Sequence, residues 1–175
     1  GLEQADLKLG FMYQKGIHFN KNLKLAQKYY LNSANKNNVK AQYQLGFMNQ
    51  VGQIGKAKPN KAIYWYRKAA NKNFVPAMIG LGYLQEKSKH NFKQANYWYN
   101  KASIKNNPIA KYNLALMLDY GKGIKANDQK AVELYKQASK AGVLPATINL
   151  AKYYYSNKDN KEMLDKSIYF FKQAS

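Results

Sequence analysis

A ten-residue stretch recurs along the chain at a near-constant interval, and no other feature limits the fold as much. Residues 61–70 read KAIYWYRKAA. In the same frame, residues 25–34 read LAQKYYLNSA, 94–103 QANYWYNKAS, 130–139 KAVELYKQAS and 166–175 KSIYFFKQAS. The small second residue falls at Ala26, Ala62, Ala95, Ala131 and Ser167, so the steps are 36, 33, 36 and 36 residues. A period in this range predicts stacked supersecondary units rather than one globular core.

A second stretch opens each unit. Residues 5–13 read ADLKLGFMY, 41–49 AQYQLGFMN, 77–85 AMIGLGYLQ, 110–118 AKYNLALML and 146–154 ATINLAKYY. Leucine stands four residues after the alanine and glycine or alanine five after it, with apolar residues also at two, six and seven. That is helical spacing with a wide apolar stripe, not strand alternation. The two stretches predict five helix–turn–helix repeats, at about 5–40, 41–76, 77–109, 110–145 and 146–175, forming one domain.

The connections carry matching signals. Gly16, Gly52 and Gly121 stand where the first helix must stop, a place that favours positive φ. Asn22, Asn91 and Asn127 stand where the second helix wants an N-cap. Pro76, Pro108 and Pro145 fall at the start of a first helix, where a missing N–H costs nothing. Gly10, Gly46 and Gly82 make room for the facing helix. Tyr30, Tyr66, Tyr99, Tyr135 and Phe171 fill that room, each contributing a few kcal/mol by burial.

Composition narrows function mainly by exclusion. There is no cysteine, so no disulfide, thiolate metal site or cysteine nucleophile exists. No run of about 18 apolar residues spans a bilayer. The formal charge is +20, from 29 Lys+Arg against nine Asp+Glu. Its distribution matters more than its size. Between Leu7 and Gln85 there is no acidic residue, and up to Leu118 only Glu86. The other acids are Glu3, Asp6, Asp119, Asp128, Glu133, Asp159, Glu162 and Asp165. The central repeats form a cationic field that attracts acidic partners or anionic surfaces, or simply keeps an extended array soluble. From the sequence both readings stay open.

No catalytic constellation is visible. His18 and His90 are the only histidines, and neither has a repeating carboxylate or hydroxyl neighbour of the kind a triad needs. Metal-ligand spacing is absent, and no cofactor motif occurs. Gly121-Lys122-Gly123 is too short for a phosphate loop. Asp119 and Asp128 flank that loop, with Asp128 expected to cap a helix.

The two recurring motifs resemble the Sel-one-like repeat (SLR) family, relatives of tetratricopeptide repeats. The family pattern is roughly A-x-x-x-L-G-x-x-Y-x-x-G-x-G-V followed by D-x-x-K-A-x-x-W-Y-x-K-A-A. Residues 41–52 (AQYQLGFMNQVG) with 61–70, and 110–124 (AKYNLALMLDYGKGI) with 127–139, match it best. The third repeat is three residues short and lacks the loop glycines; Ala115 and Ala151 replace the usual glycine. The fifth stops at Ser175 without a polar capping helix, as expected where an end is missing or covered.

The resemblance implies an all-α fold, a right-handed α/α superhelical solenoid, and a non-enzymatic protein-interaction module acting as adaptor or scaffold. It implies a concave groove lined by first helices. Partner-binding residues are then sought two, six and nine positions after the anchor alanine: Phe11, Gln14, Tyr43, Phe47, Gln50, Tyr83, Tyr112 and Leu116. Rings two residues on are expected to pack, and those six on to be exposed. Gln14 and Gln50 are expected to offer amides. With the charge, the expected partner is an acidic protein or peptide. An immunity protein against a toxic effector, and a binder of nucleic acid or of an anionic cell envelope, are the alternatives. Lysines interleaved with aromatics support the nucleic-acid reading, whereas a single arginine weakens it. The resemblance favours a bacterial periplasmic or secreted protein, with the cytoplasm open.

Overall fold

The computed structural model describes residues 1–156 and 160–174. Asp159, one of the acids named above, and Ser175, the end of the fifth repeat, lie outside the described residues. Ten helices account for the described chain, and it contains no strand. They are α1 (Leu2–Lys15), α2 (Leu23–Asn35), α3 (Val39–Val51), α4 (Pro59–Ala70), α5 (Val75–Lys87), α6 (Phe92–Ile104), α7 (Pro108–Asp119), α8 (Asp128–Lys140), α9 (Leu144–Ser156) and α10 (Lys161–Ala174). By their contacts they form two compact units, Gly1–Lys89 and His90–Ser175. Within each, consecutive helices pack on one another, and in the first α3 also touches α5.

Helix ends follow local chemistry. Gly16 and Gly52 close α1 and α3 at φ 75° and 67°. The side chains of Asn22, Asn91 and Asn127 accept from the backbone N–H three residues on, at 3.0, 3.1 and 2.9 Å. Asn38 and Asn107 cap α3 and α7 in the same way. Asn127 thus takes the role expected of Asp128. The latter is the first residue of α8, where its charge still favours the positive end of the helix dipole.

The turns between repeats share one device. Asn37, Asn73, Asn106 and Gly142 all have left-handed backbone, at φ 66°, 61°, 59° and 83°. Asparagine tolerates this region better than most residues with a Cβ. His18 and His90 are also left-handed, at φ 61° and 50°. Gly123, at φ 71°, takes the place in the fourth repeat that His18 takes in the first. These histidines are loop-shape residues.

The packing of the first unit turns on small residues against rings. A Cβ on Gly10 would stand 2.6 Å from the Tyr30 ring, and one on Gly46 2.4 Å from Tyr66. A Cβ on Gly80 would meet the opposite edge of Tyr66 at 2.7 Å, so that ring lies between two helices that must both lack a side chain there. Ala26, Tyr30, Ala34, Ala41, Leu45 and Met48 form a buried cluster, with Leu7, Tyr13, Ile54 and Trp65 packed against it. In the second unit Leu114, Ala115, Met117, Tyr135, Leu150 and Tyr154 are buried.

The expected core fails at one ring. Phe171 is 44% exposed, unlike the tyrosines at its position. Its neighbour Phe170 instead stacks on Tyr154, with centroids 5.7 Å apart and planes within 5°. Tyr66 is enclosed from two sides by α3 and α5. Among the described residues no helix packs beyond α10 to enclose Phe171 in the same way.

Candidate functional site

The first helices of the first unit carry accessible rings at one register. Phe11 on α1, Phe47 on α3 and Tyr83 on α5 are 44%, 36% and 45% exposed. These are the positions six residues after the anchor, where exposure is expected. Rings two residues after the anchor are half-buried instead. Tyr43 packs against Tyr66 and Phe74, with centroids 5.6 and 5.5 Å away. Tyr112 packs against Tyr135 at 6.0 Å. Leu116, at the six-residue position of α7, is half-buried in its unit.

Phe11, Tyr43 and Phe47 converge on one hollow of about 550 Å³, shared with Gln14, Lys15, Lys21, Leu23, Gln44 and Gln53. A second hollow of about 370 Å³ adjoins it, lined by Leu7, Lys8, Met12, Tyr30 and Lys40. Phe11 and Gln44 belong to both. The structure therefore brings together Phe11, Gln14, Tyr43 and Phe47. Gln50 and Tyr83 stand on α3 and α5 outside either lining, and Tyr112 and Leu116 belong to the second unit.

The glutamines have a role that sequence spacing alone does not reveal. The Tyr30 hydroxyl donates to Gln14 Oε1 at 2.7 Å, and Gln14 Nε2 donates to Gln53 Oε1 at 3.0 Å. Gln14 is buried with both ends of its amide engaged, and so shapes the wall of the hollow it lines. The Tyr66 hydroxyl donates to Gln50 Oε1 at 2.6 Å, and that of Tyr135 to Asp119 Oδ2 at 3.0 Å. Each pair is 16 residues apart. That constant offset is the signal the sequence holds. Its cause is that a buried phenol must find an acceptor. Burial pushes Tyr30 up to about 12. Tyr66 and Tyr135 are raised as well, chiefly by burial. All three therefore remain protonated donors at neutral pH.

The charge around the hollows is of one sign. Lys8, Lys15, Lys21 and Lys40 line them, and the unit's acids lie at its sequence ends. Two of those acids are already paired, Asp6 with Lys36 and Glu86 with Lys87, both at 2.9 Å. In the second unit Asp119 and Asp128 line one hollow of about 470 Å³, together with Lys152. Among the described residues no group of three His, Cys, Asp or Glu is placed to hold a metal ion, and no helix is long and apolar enough to cross a membrane.

Four stretches of the chain, residues 4–38, 39–74, 75–107 and 108–143, match the family model of the Sel1 repeat. No curated protein matches it. Among solved structures it is similar to a Sel1 repeat protein from Oxalobacter formigenes, with 29% identity and TM-score 0.87, over 98% of this chain and 72% of that one. It shares its fold with immunity protein Pa5087 from Pseudomonas aeruginosa, at 18% identity and TM-score 0.59, over 98% of this chain and 67% of that one. A protective antigen of uropathogenic Escherichia coli displaying an SLR fold aligns at 22% identity and TM-score 0.50, over 99% of this chain and 50% of that one.

Proposed function

The chain belongs to the Sel1 repeat family, an α-solenoid family whose repeats mediate protein–protein interaction, and from that premise we propose that it is a non-enzymatic interaction module for an acidic protein partner. The partner's segment lies against α1, α3 and α5, with Phe11, Phe47 and Tyr83 as anchors. Tyr43 forms the floor beside them, and the Gln50 Nε2 amide group is the donor left over while its oxygen accepts the hydrogen bond of the Tyr66 hydroxyl. Tyr112 and Leu116 are the corresponding contacts on the second unit.

One observation carries this reading. Three large rings remain exposed at a single register of the first helices, in a unit where the one ring two residues after an anchor, Tyr43, is packed. Rings in concave, water-excluding surroundings are the usual energetic centres of interfaces. The lysines around them steer an acidic chain and raise its association rate.

The test is affinity capture from the native organism with the wild-type chain and with the double variant Phe47→Ala/Tyr83→Ala. The variant should lose a specific acidic partner while its far-UV circular dichroism stays unchanged. Retention of that partner by the variant moves the interface off the first helices. The fold shared with an immunity protein does not by itself select a toxic effector, and the identity of the captured protein decides between an adaptor and that role.

A further inference from the structure

The motif KAIYWYRKAA recurs because every unit must pack, yet only part of it is buried. Tyr66 is 1% exposed, while Tyr64 is 51% exposed and Trp65 is half-buried. Tyr64 and Trp65 line a hollow of about 570 Å³ between α2 and α4, separate from the first-helix site. Lys24 and Lys28 of α2, Lys61 of α4 and Lys58 just before it share the lining. None of the four pairs with a carboxylate among the described residues, and the sequence supplies no acid between Leu7 and Gln85.

The hollow is graded along its length. Lys24 and Lys28 occupy the first turns of α2, with Leu31 one turn further. Lys58 stands at the N-cap of α4 and Lys61 in its first turn, with Tyr64 and Trp65 one turn further. Both walls thus run from ammonium groups to apolar and aromatic groups in the same direction along the chain. Four unneutralised cations on one concavity repel one another, and a multivalent anion relieves that repulsion. A flat apolar body satisfies the other end, and the volume is that of a small-ligand site. Lys68 lies over both rings, 4.9 Å from Tyr64 and 5.3 Å from Trp65, which holds the rings in place and adds a cation beside them.

We propose that this hollow binds a nucleotide, with its phosphates among Lys24, Lys28, Lys58 and Lys61 and its base against Tyr64 and Trp65. The nucleotide is either free or one unit of a single strand. Positive grooves with aromatic platforms are the physical basis of sequence-tolerant single-strand binding. Lysine, as a point charge, holds phosphate without reading sequence.

The experiment uses the full chain and fluorescence anisotropy with two probes, mant-ADP and a labelled dodecathymidylate, and compares wild type with Lys28→Ala/Lys61→Ala and with Tyr64→Ala. The control is Lys105→Ala/Lys125→Ala, which removes the same charge elsewhere. Wild type should bind at least one probe, and which probe identifies the source. The Lys28/Lys61 variant should weaken binding roughly tenfold and reduce the salt slope for the oligonucleotide by about 1.4. Tyr64→Ala should weaken binding without changing that slope. Equal losses in the control variant would reduce the effect to net charge and overturn the proposal. So would binding of neither probe, or binding only to vesicles containing phosphatidylglycerol. Circular dichroism verifies that every variant is folded, which these exposed side chains permit.

Discussion

Gly46→Ala is the most direct test of how the first unit is packed. In an isolated helix this change is favourable by about 1 kcal/mol, because alanine has the higher helix propensity. Here the added methyl carbon would stand 2.4 Å from Cδ1 and 2.5 Å from Cε1 of Tyr66, about 1 Å inside ordinary contact. The ring has little room to retreat. Its far edge faces Gly80, whose own Cβ site is 2.7 Å from Cε2. Its hydroxyl is bonded to Gln50 at 2.6 Å, and Tyr43 packs on it at 5.6 Å. Overpacking of a rigid site costs typically about 1–3 kcal/mol, occasionally more. The confinement of Tyr66 places the cost at the upper end. After subtracting the propensity gain, the net loss is about 2 kcal/mol. For a chain of this length that lowers the melting temperature by roughly 4–8 °C. Thermal and urea unfolding followed by circular dichroism measure it. In the double variant Gly46→Ala/Tyr66→Leu the two losses should be less than additive, since the smaller side chain removes the clash. A melting temperature equal to or above wild type in Gly46→Ala, or strict additivity in the double variant, would refute the argument.

Three further outcomes follow from the same geometry. Asn127→Ala should destabilise by about 1 kcal/mol through loss of the α8 cap, whereas Asp128→Asn should change stability by no more than about 0.5 kcal/mol; urea titration of both variants separates the roles. Gly142→Ala meets no atom within 4 Å, so its cost, about 1–2 kcal/mol, is that of a left-handed backbone alone, while Asn73→Gly should be neutral or slightly stabilising; thermal unfolding of the two variants checks both. Buried Tyr30 ionises near 12 against 10.0 when exposed, and the unfolded chain therefore releases its proton first. Stability from this group is fully present below about pH 10 and falls as pH rises from 10 to 12, with Tyr66 and Tyr135 acting in the same direction. Urea midpoints across about pH 9–12 should decline; a flat profile would contradict the burial of these phenols.

The periodic part of this protein is legible in the amino-acid sequence. The spacing of Ala26, Ala62, Ala95 and Ala131 implies the helix pairs, and the alternation of small and large residues implies which surfaces meet. Asn22, Asn91 and Asn127 mark helix starts because capping is a local bond between neighbours in sequence. Tyr43 and Phe47, four residues apart, lie on the same face of α3, so their different burial is not set by periodicity but by the packing of Tyr66 and Phe74 on Tyr43. Tertiary structure alone decided the rest, because it depends on what stands across a gap. That Gln14 supplies the acceptor which the Tyr30 hydroxyl needs in a dry site is a fact of this kind. Within a single ten-residue motif, Tyr66 is sealed between Gly46 and Gly80 while Tyr64 and Trp65 open onto four lysines. A repeat dictates the direction in which each side chain points, but burial and ligand access are properties of the neighbouring helix.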